Sequence, residues 1–422
     1  MTTALSQSGR TLLRDTAWNA AVNAATAGLS VFLLMLTVRF AGAYWGGVVA
    51  LGLAMSQQLF TLGNFTMESY HASDIAEKRS FADYVAAKSL TLGAMLLAGA
   101  AWLAAGHFGR DKSFAFVGLL AYQASDAFSN AFFARYQLKG RLDVGCRVRL
   151  DKIAAFAGVY AGMLWATDNP VAALWTGSAV HAALFFALDV PKLRVFGPLR
   201  GWGGWRASAS VLAACAPLAL NSFLVMYVSN GPRFAVDGTM GEESLAKFSA
   251  LFMVSFAVAV CGDFLMNPQI VRLAAAVQGR DRGGAWRIVG RQAVLIAGLG
   301  AAGLAVAATV GIPVLSWVFG LDLSGYRGVL LALLGGGVLV AYYQLAQFVL
   351  VVLRRQIWAT PGMVVAAAFV FFAARPCVAR AGLAGAAVAY DLAVAFLALG
   401  ATAFAARFFR AAFQPTHAEK HP

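Results

Sequence analysis

Twelve long apolar segments can be drawn along this chain of 422 residues, and the polar connectors between them carry Lys and Arg on one alternating side. With the N-terminus placed inside, 25 of the 33 basic residues fall in inner connectors and 8 in outer ones. An excess of Lys and Arg in cytoplasmic connectors is the main orientation signal of a membrane protein. The expected fold class is therefore all-α, a polytopic membrane protein of about twelve transmembrane helices with N- and C-termini cytoplasmic. The charged content of 12% agrees, since a soluble domain carries about a quarter. A helix of about 20 apolar residues spans a bilayer, and lipid leaves the backbone no other way to satisfy itself within one segment. The short alternating segments of an outer-membrane barrel are absent.

A net charge of +14 raises the question of nucleic acid. The basic residues flank membrane segments, where orientation alone explains them, so no nucleic-acid partner is expected. Arg outnumbers Lys 25 to 8, and Ala and Gly are abundant, a composition that fits a GC-rich bacterial genome and a bacterial cytoplasmic (inner) membrane. The four cysteines, Cys146, Cys215, Cys261 and Cys377, have no metal or redox spacing. The first apolar run is too long and continuous for a cleaved leader and reads as a signal anchor.

The segments fall at about 16–39, 44–68, 84–106, 114–136, 152–167, 171–188, 208–229, 246–267, 287–310, 326–353, 357–374 and 383–406. Residues 167–170 (TDNP) read as a tight external turn between the fifth and sixth. The longest outer segments are expected at 229–243 and 311–325, and a basic inner connector at 135–152. A Pro- and Gly-rich stretch ending at Arg206 reads as a linker. The expected organisation is an N-terminal six-helix lobe at 1–195, a cytoplasmic linker at 196–207, a C-terminal six-helix lobe at 208–410 and a disordered tail at 411–422. The halves correspond faintly: Arg39 with Arg233, the polar pair Asn64 and Glu68 with Asp263 and Asn267, and Lys88 with Arg291. Six is even, so the halves would be parallel repeats, with a binding site near the midplane at the repeat interface.

Ionisable and polar groups inside membrane segments are costly and are functional candidates by default. Gln57, Thr61, Asn64 and Glu68 recur at helical spacing and share a face of the second segment. Tyr122, Asp126, Ser129, Asn130 and Phe133 do so in the fourth, with Asp126 about 13 Å along the helix from Arg135. Asn221, Tyr227, Asn230 and Arg233 climb the seventh, which contains Pro217; Tyr342, Tyr343, Gln344 and Gln347 line the tenth. Asp391 lies deep in the last segment, and His181 sits alone on an apolar one, as a packed histidine would. Interhelical hydrogen bonding and snorkelling of the arginines are the plainer readings of the same residues. No GxxxxGK[ST], HExxH or GxSxG motif and no zinc-type Cys/His set is present, so no catalytic or metal residues and no cofactor are expected.

The layout and three stretches carry a resemblance. They are TAWNAAVNAATAGLSVFLLMLTVRFAG at the start, NSFLVMYVSNGPRFAVDGTMGEESLAKFSALFMVSFAVAVCGDFLMNPQIVRL from Asn221, and GIPVLSWVFG from Gly311. In the second, an Asn-containing segment leads through a short Gly-containing link to a segment closed by Pro268. The chain resembles the polysaccharide transporter and O-antigen flippase branch of the multidrug/oligosaccharidyl-lipid/polysaccharide exporter (MOP) superfamily. The resemblance implies a V-shaped, two-lobed, alternating-access transporter rather than an enzyme. It implies movement of an undecaprenyl-pyrophosphate-linked oligosaccharide, such as an O-antigen, capsule or exopolysaccharide unit, from the inner to the outer leaflet. On that reading Arg39 and Arg233 bind the substrate phosphates, and Gln57, Asn64, Asn130, Asn221, Asn230, Gln344 and Gln347 bind sugar hydroxyls. Glu68, Asp126 and Asp263 couple transport to a proton or sodium gradient. Membrane lipids and a docked glycan polymerase or glycosyltransferase are the expected partners. An ion-coupled multidrug exporter of the same superfamily is the alternative, and a membrane glycan polymerase or ligase a more distant one.

Overall fold

The computed structural model describes residues 9–196, 201–266 and 269–413. Among them every regular element is helical. The chain divides into two compact units, 1–226 and 227–422.

The first unit opens with α1 (Gly9–Asn64), one continuous helix except at Gly42, where φ is 88°. Only glycine adopts that backbone cheaply, and here it reverses the chain. The Gln57 amide donates to Ser30 Oγ at 3.0 Å, yet a straight helix would hold the two about 40 Å apart. Leu29 and Leu33 of one arm accordingly share a core with Val48, Val49 and Leu53 of the other. The second arm ends at Asn64, where Phe65 and Thr66 take positive φ, and a short helix, α2 (Met67–Ser73), follows. Next come α3 (Phe81–Gly106) and α4 (Arg110–Leu138). Then follow α5 (Leu142–Thr167) and α6 (Pro170–Leu184), a π turn at Phe185–Asp189 and α7 (Leu193–Phe196). The core of the unit joins α1 to α4, α5 and α6 through Leu119, Phe156, Tyr160 and Leu174. At the expected tight turn, Asp168 is left-handed and the Asn169 side chain caps Pro170–Leu184 by accepting from Ala172 N–H.

The helix α8 (Trp205–Met240) is continuous through Pro217 and passes from the first unit into the second. In the second unit it is followed by α9 (Glu242–Met266), α10 (Ile270–Gln278), α11 (Arg282–Val306) and, after a π turn at Ala307–Gly311, α12 (Ile312–Phe319). The last two are α13 (Arg327–Val352) and α14 (Thr360–Ala412). α14 repeats the device of α1: Gly382 has φ 59°. Trp358, just ahead of the helix, lies 6.2 Å from Phe404, against about 65 Å for a straight helix of that length. α9 and α13 are the innermost of this unit. Gly337 fits there because an added Cβ would stand 2.6 Å from the Ser255 carbonyl oxygen.

Eight segments are long and apolar enough to cross a membrane. Two of them, divided at Gly42 and Gly382, each hold two runs, and the more charged α4 and α5 complete twelve. The all-helical expectation and its span count therefore stand, and the chain is a multi-pass membrane protein. Three boundaries differ. The outer segment expected at 229–243 is helix on both sides of Gly241. Most of that expected at 311–325 is α12. The connector expected at 135–152 shrinks to a turn, because α5 starts at Leu142. A charge does not by itself mark a loop, because helical backbone bonding continues wherever the charged side chain finds a partner. Asn267, Pro268 and residues 414–422 lie outside the described residues, as does part of the linker at 196–207.

Candidate functional site

In the first unit the polar residues converge on α4. The break after Asn64 leaves helix-terminal carbonyls buried between helices, in need of a donor. Lys88 of α3 answers that need. Its ammonium donates to the carbonyls of Asn64 at 2.8 Å and Gly63 at 3.2 Å, and Thr91 Oγ donates to Gly63 O at 3.0 Å. A cation at a helix C-terminus also meets the negative end of the helix dipole. Asn64 Oδ1 accepts from Lys88 and from the Asn130 amide, each at 3.3 Å. Two of the residues expected to bind sugar, Asn64 and Asn130, are thus together.

One turn away on α4, Asp126 pairs with Arg149 of α5 at 3.3 Å. Glu68, on α2, lies within electrostatic reach of Arg149, Asp126 and Lys88. Ser129 Oγ donates at 3.1 Å to Asp189, which Tyr136 OH also reaches at 3.0 Å and Lys152 Nζ at 2.6 Å. The Lys152 and Asp189 side chains are each 2% exposed. A π turn widens the helix where Asp189 enters this pair. His181 is buried as expected, with Nδ1 2.9 Å from Ser125 Oγ and its ring edge-on to Tyr122.

The remaining expected residues of this unit stand apart. Gln57 is engaged within its own hairpin by Ser30. Glu68 does not continue the helix of Gln57, Thr61 and Asn64, because that helix has ended. Arg39 is exposed, three residues before the Gly42 reversal, and Asn221 is half-buried on α8. Outside the spans, Glu77 accepts from Lys139 and, at 2.8 Å, from Arg135. Those hydrogen bonds, Lys139 first, hold its carboxyl below the usual range.

The second unit presents its polar groups singly. Arg233 of α8 donates through Nη1 to Asn230 Oδ1 at 3.0 Å and lies 4.5 Å above the Phe252 ring. Its buried Nε has no hydrogen-bond partner, and no carboxylate pairs with it among the described residues. Phe252 in turn meets Tyr390 edge-on at 4.9 Å. Asp391 sits over Gly336, where an added Cβ would stand 2.2 Å from its Oδ1, and that oxygen has no partner. On α13, Gln347 donates to Tyr343 OH, while the carbonyl oxygens of Gln344 and Gln347 are buried without partners. The side chain of Asp263 lies outside the described residues. No cluster of three or more metal-ligating side chains occurs among the described residues.

The buried partners Lys88, Arg149, Lys152 and Asp189 are not among the site residues read from the sequence, which places Lys88 as the counterpart of Arg291 and Arg149 and Lys152 in a basic connector. The signal was present in α5: Arg149 and Lys152 lie about 10 and 15 Å beyond its start, one turn apart like Asp126 and Ser129. Reading α5 as beginning at Lys152 hid it.

The fold has solved counterparts. An inward-facing multidrug resistance MATE family transporter of the MOP superfamily matches with TM-score 0.70 and 11% identity, over 92% of this chain and 94% of that one. The lipid II flippase MurJ, in an inward closed conformation, matches with TM-score 0.66 and 12% identity, over 93% and 90%. An outward-facing MATE family transporter matches with TM-score 0.55 and 14% identity, over 95% and 97%. At such identities the likeness is one of fold, and the fold is that of MOP superfamily transporters. No protein-family model matches the chain, and no curated protein matches it in sequence.

Proposed function

We propose that this protein is a flippase that moves a lipid-pyrophosphate-linked oligosaccharide across the bacterial cytoplasmic membrane by alternating access, with both termini inside. The observation that carries the reading is Arg233, a cation within a membrane helix that no carboxylate balances among the described residues. An unpaired guanidinium in a low-dielectric site is held at high cost and is rewarded by a phosphate, which it grips with forked donors. A cationic drug would meet repulsion there. Support also comes from the fold, since one structural neighbour is a lipid II flippase and the neighbours named are transporters.

Arg233 and Arg39 serve the phosphates in this reading. Gln344 and Gln347 offer open carbonyl oxygens to sugar hydroxyls, while Asn230 holds Arg233 in place. Asn64, Asn130, Asn221 and Gln57 remain candidates for the sugar. Glu68, Asp126 and Asp263 remain candidates for coupling to protons or sodium, and Asp126 must leave Arg149 to take up a cation. A polymerase or glycosyltransferase is the proposed partner on the cytoplasmic side.

The multidrug exporter is kept as a second reading because of Asp391, an intramembrane carboxylate oxygen without a partner, and the MATE likeness. A deletion strain separates them. Trapped lipid-linked oligosaccharide in the inner leaflet, with loss of surface glycan, is the expected result. Arg39→Ala with Arg233→Ala should reproduce it while the protein remains folded; normal surface glycan in that double variant removes the phosphate role.

A further inference from the structure

Along the first turns of α3 the outward residues are small: Ala82, Ala86 and Ser89, flanked by Val85 and Leu90. Trp202 and Trp205 wall this strip on one side and close a trough of about 420 Å³, almost wholly apolar. The two indoles meet edge-to-face, with centroids 5.2 Å apart, yet they remain 49% and 61% exposed. Gly201 and Gly204 take positive φ on either side of Trp202. The segment is pinned to α3 by Gly203 N–H, which donates to Asp83 Oδ1 at 2.8 Å, and Trp202 Nε1 donates to Ser208 Oγ at 3.3 Å. A pinned aromatic wall beside a strip of small side chains is a built groove.

Its position says what fills it. α3 is a membrane-length helix with an exposed face that includes Ser89 and Leu90, so the neighbour of that face is lipid. The strip covers residues 82–90, within about 15 Å of the capped helix start, the depth of headgroup and upper acyl chain. Trp belongs at that level. Two cations flank the lining segments in sequence: Arg79 precedes the capping Ser80, and Arg206 follows Trp205. Of the local carboxylates, Glu77 is ion-paired, while Asp83 and Asp74 are held by neutral donors on the protein side of the segment. Asp83 accepts from Ser80 N–H and Gly203 N–H, Asp74 from Lys78 N–H, Arg79 N–H and Tyr84 OH, and Glu77 from Arg135 and Lys139.

We propose that this trough binds one anionic phospholipid, an acyl chain lying on Ala82, Ala86 and Ser89 between α3 and the two indoles, with its phosphate at Arg79 and Arg206. The chain supplies apolar contact and the rim supplies preference among headgroups, because basic residues near an anionic leaflet are each worth about 1 kcal/mol. The site concerns a resident lipid, and it does not depend on what the protein transports.

The test uses the full-length protein in phosphatidylcholine vesicles doped with bromine-labelled phosphatidylglycerol or, separately, bromine-labelled phosphatidylcholine. Quenching from Trp202 and Trp205 is isolated by subtracting the Trp202→Phe/Trp205→Phe variant. Half-quenching should need less phosphatidylglycerol than phosphatidylcholine, by about five-fold for each rim cation. Arg79→Gln with Arg206→Gln should abolish the preference, and Ala86→Phe, which adds no indole, should fill the trough and abolish the preferential quenching. Equal half-quenching for the two lipids, or a preference that survives removal of both cations, overturns the proposal. Native mass spectrometry of wild-type protein taken from its membrane should retain one phosphatidylglycerol. Retention of a polyprenyl-linked species, displaced by Ala86→Phe, would assign the trough to cargo instead and overturn it equally.

Discussion

The two units treat buried charge in opposite ways. In the first, three buried cations are matched: Lys88 by two helix-terminal carbonyls, Arg149 by Asp126 (though its Nε, like that of Arg233, lacks a hydrogen-bond partner), and Lys152 by Asp189. In the second, Arg233 leans on an amide and an aromatic face, and Asp391 rests on a glycine notch with one oxygen open. Matched charges cost little to keep and hold helices in register. Unmatched ones cost more and persist where something else completes them. The first unit therefore reads as a scaffold locked by ion pairs, and the second as the part left open to a ligand.

The contrast is broken most directly at Lys152 and Asp189. Removing one partner of a buried pair strands the other, so Lys152→Ala or Asp189→Ala should destabilise the protein by about 3–5 kcal/mol. Replacing both, Lys152→Met with Asp189→Leu, should restore much of that. Thermal unfolding in detergent reads the difference. If the single and double variants unfold alike, the pair is not what locks the unit.

Arg233 should behave in the reverse sense. Arg233→Ala strands no carboxylate among the described residues, so its stability change should be far smaller than that of Lys152→Ala. Transport of the lipid-linked glycan, followed by its accumulation inside and the surface glycan formed, should fall about 10- to 100-fold, as loss of a charged hydrogen bond to the substrate implies. Arg233→Lys should recover only part, since an ammonium lacks the planar fork. A variant that loses stability and transport in proportion would make Arg233 structural and erase the distinction between the units.

Most of the scaffold was legible in the chain because membrane length and apolarity are local properties. The reversals at Gly42 and Gly382 fell between drawn segments, and the turn at Asp168 and Asn169 was read from its residue types. The polar interior was harder. Asp126 stood out because it interrupts an apolar run, but Arg149 and Lys152 sit in a stretch so charged that it resembled a connector. Only the partner on another helix reveals that they are inside. Asn64 and Glu68 kept helical spacing in the sequence while the helix between them ended, a break made tolerable by Lys88, 24 residues further on. Spacing along one helix carries no information on a cap delivered by the next. In the second unit the sequence singles out Arg233 as a polar group in a membrane segment, yet its support by Phe252 and Asn230 needed the fold.

A smaller effect sharpens the comparison outside the membrane, where pairing is cheap in both directions. Glu77 takes hydrogen bonds from Lys139 and Arg135, and its carboxyl lies below its ordinary value of 4.5. A depressed carboxylate contributes stability that is fully present above its unfolded value and fades as the pH falls through the folded one. Glu77 is 41% exposed, so solvent limits the contribution to at most about 1 kcal/mol. Wild type should therefore melt slightly above Glu77→Gln at neutral pH, and the gap should close as the pH drops below about 4.5. Salt should narrow it too, since exposed pairs are screened within about a Debye length of 10 Å at 0.1 M. The Lys152–Asp189 pair, sealed from solvent, should ignore the same salt. A salt response of equal size in both pairs would mean that water reaches Asp189, and the locked interior of the first unit would then be no drier than its loops.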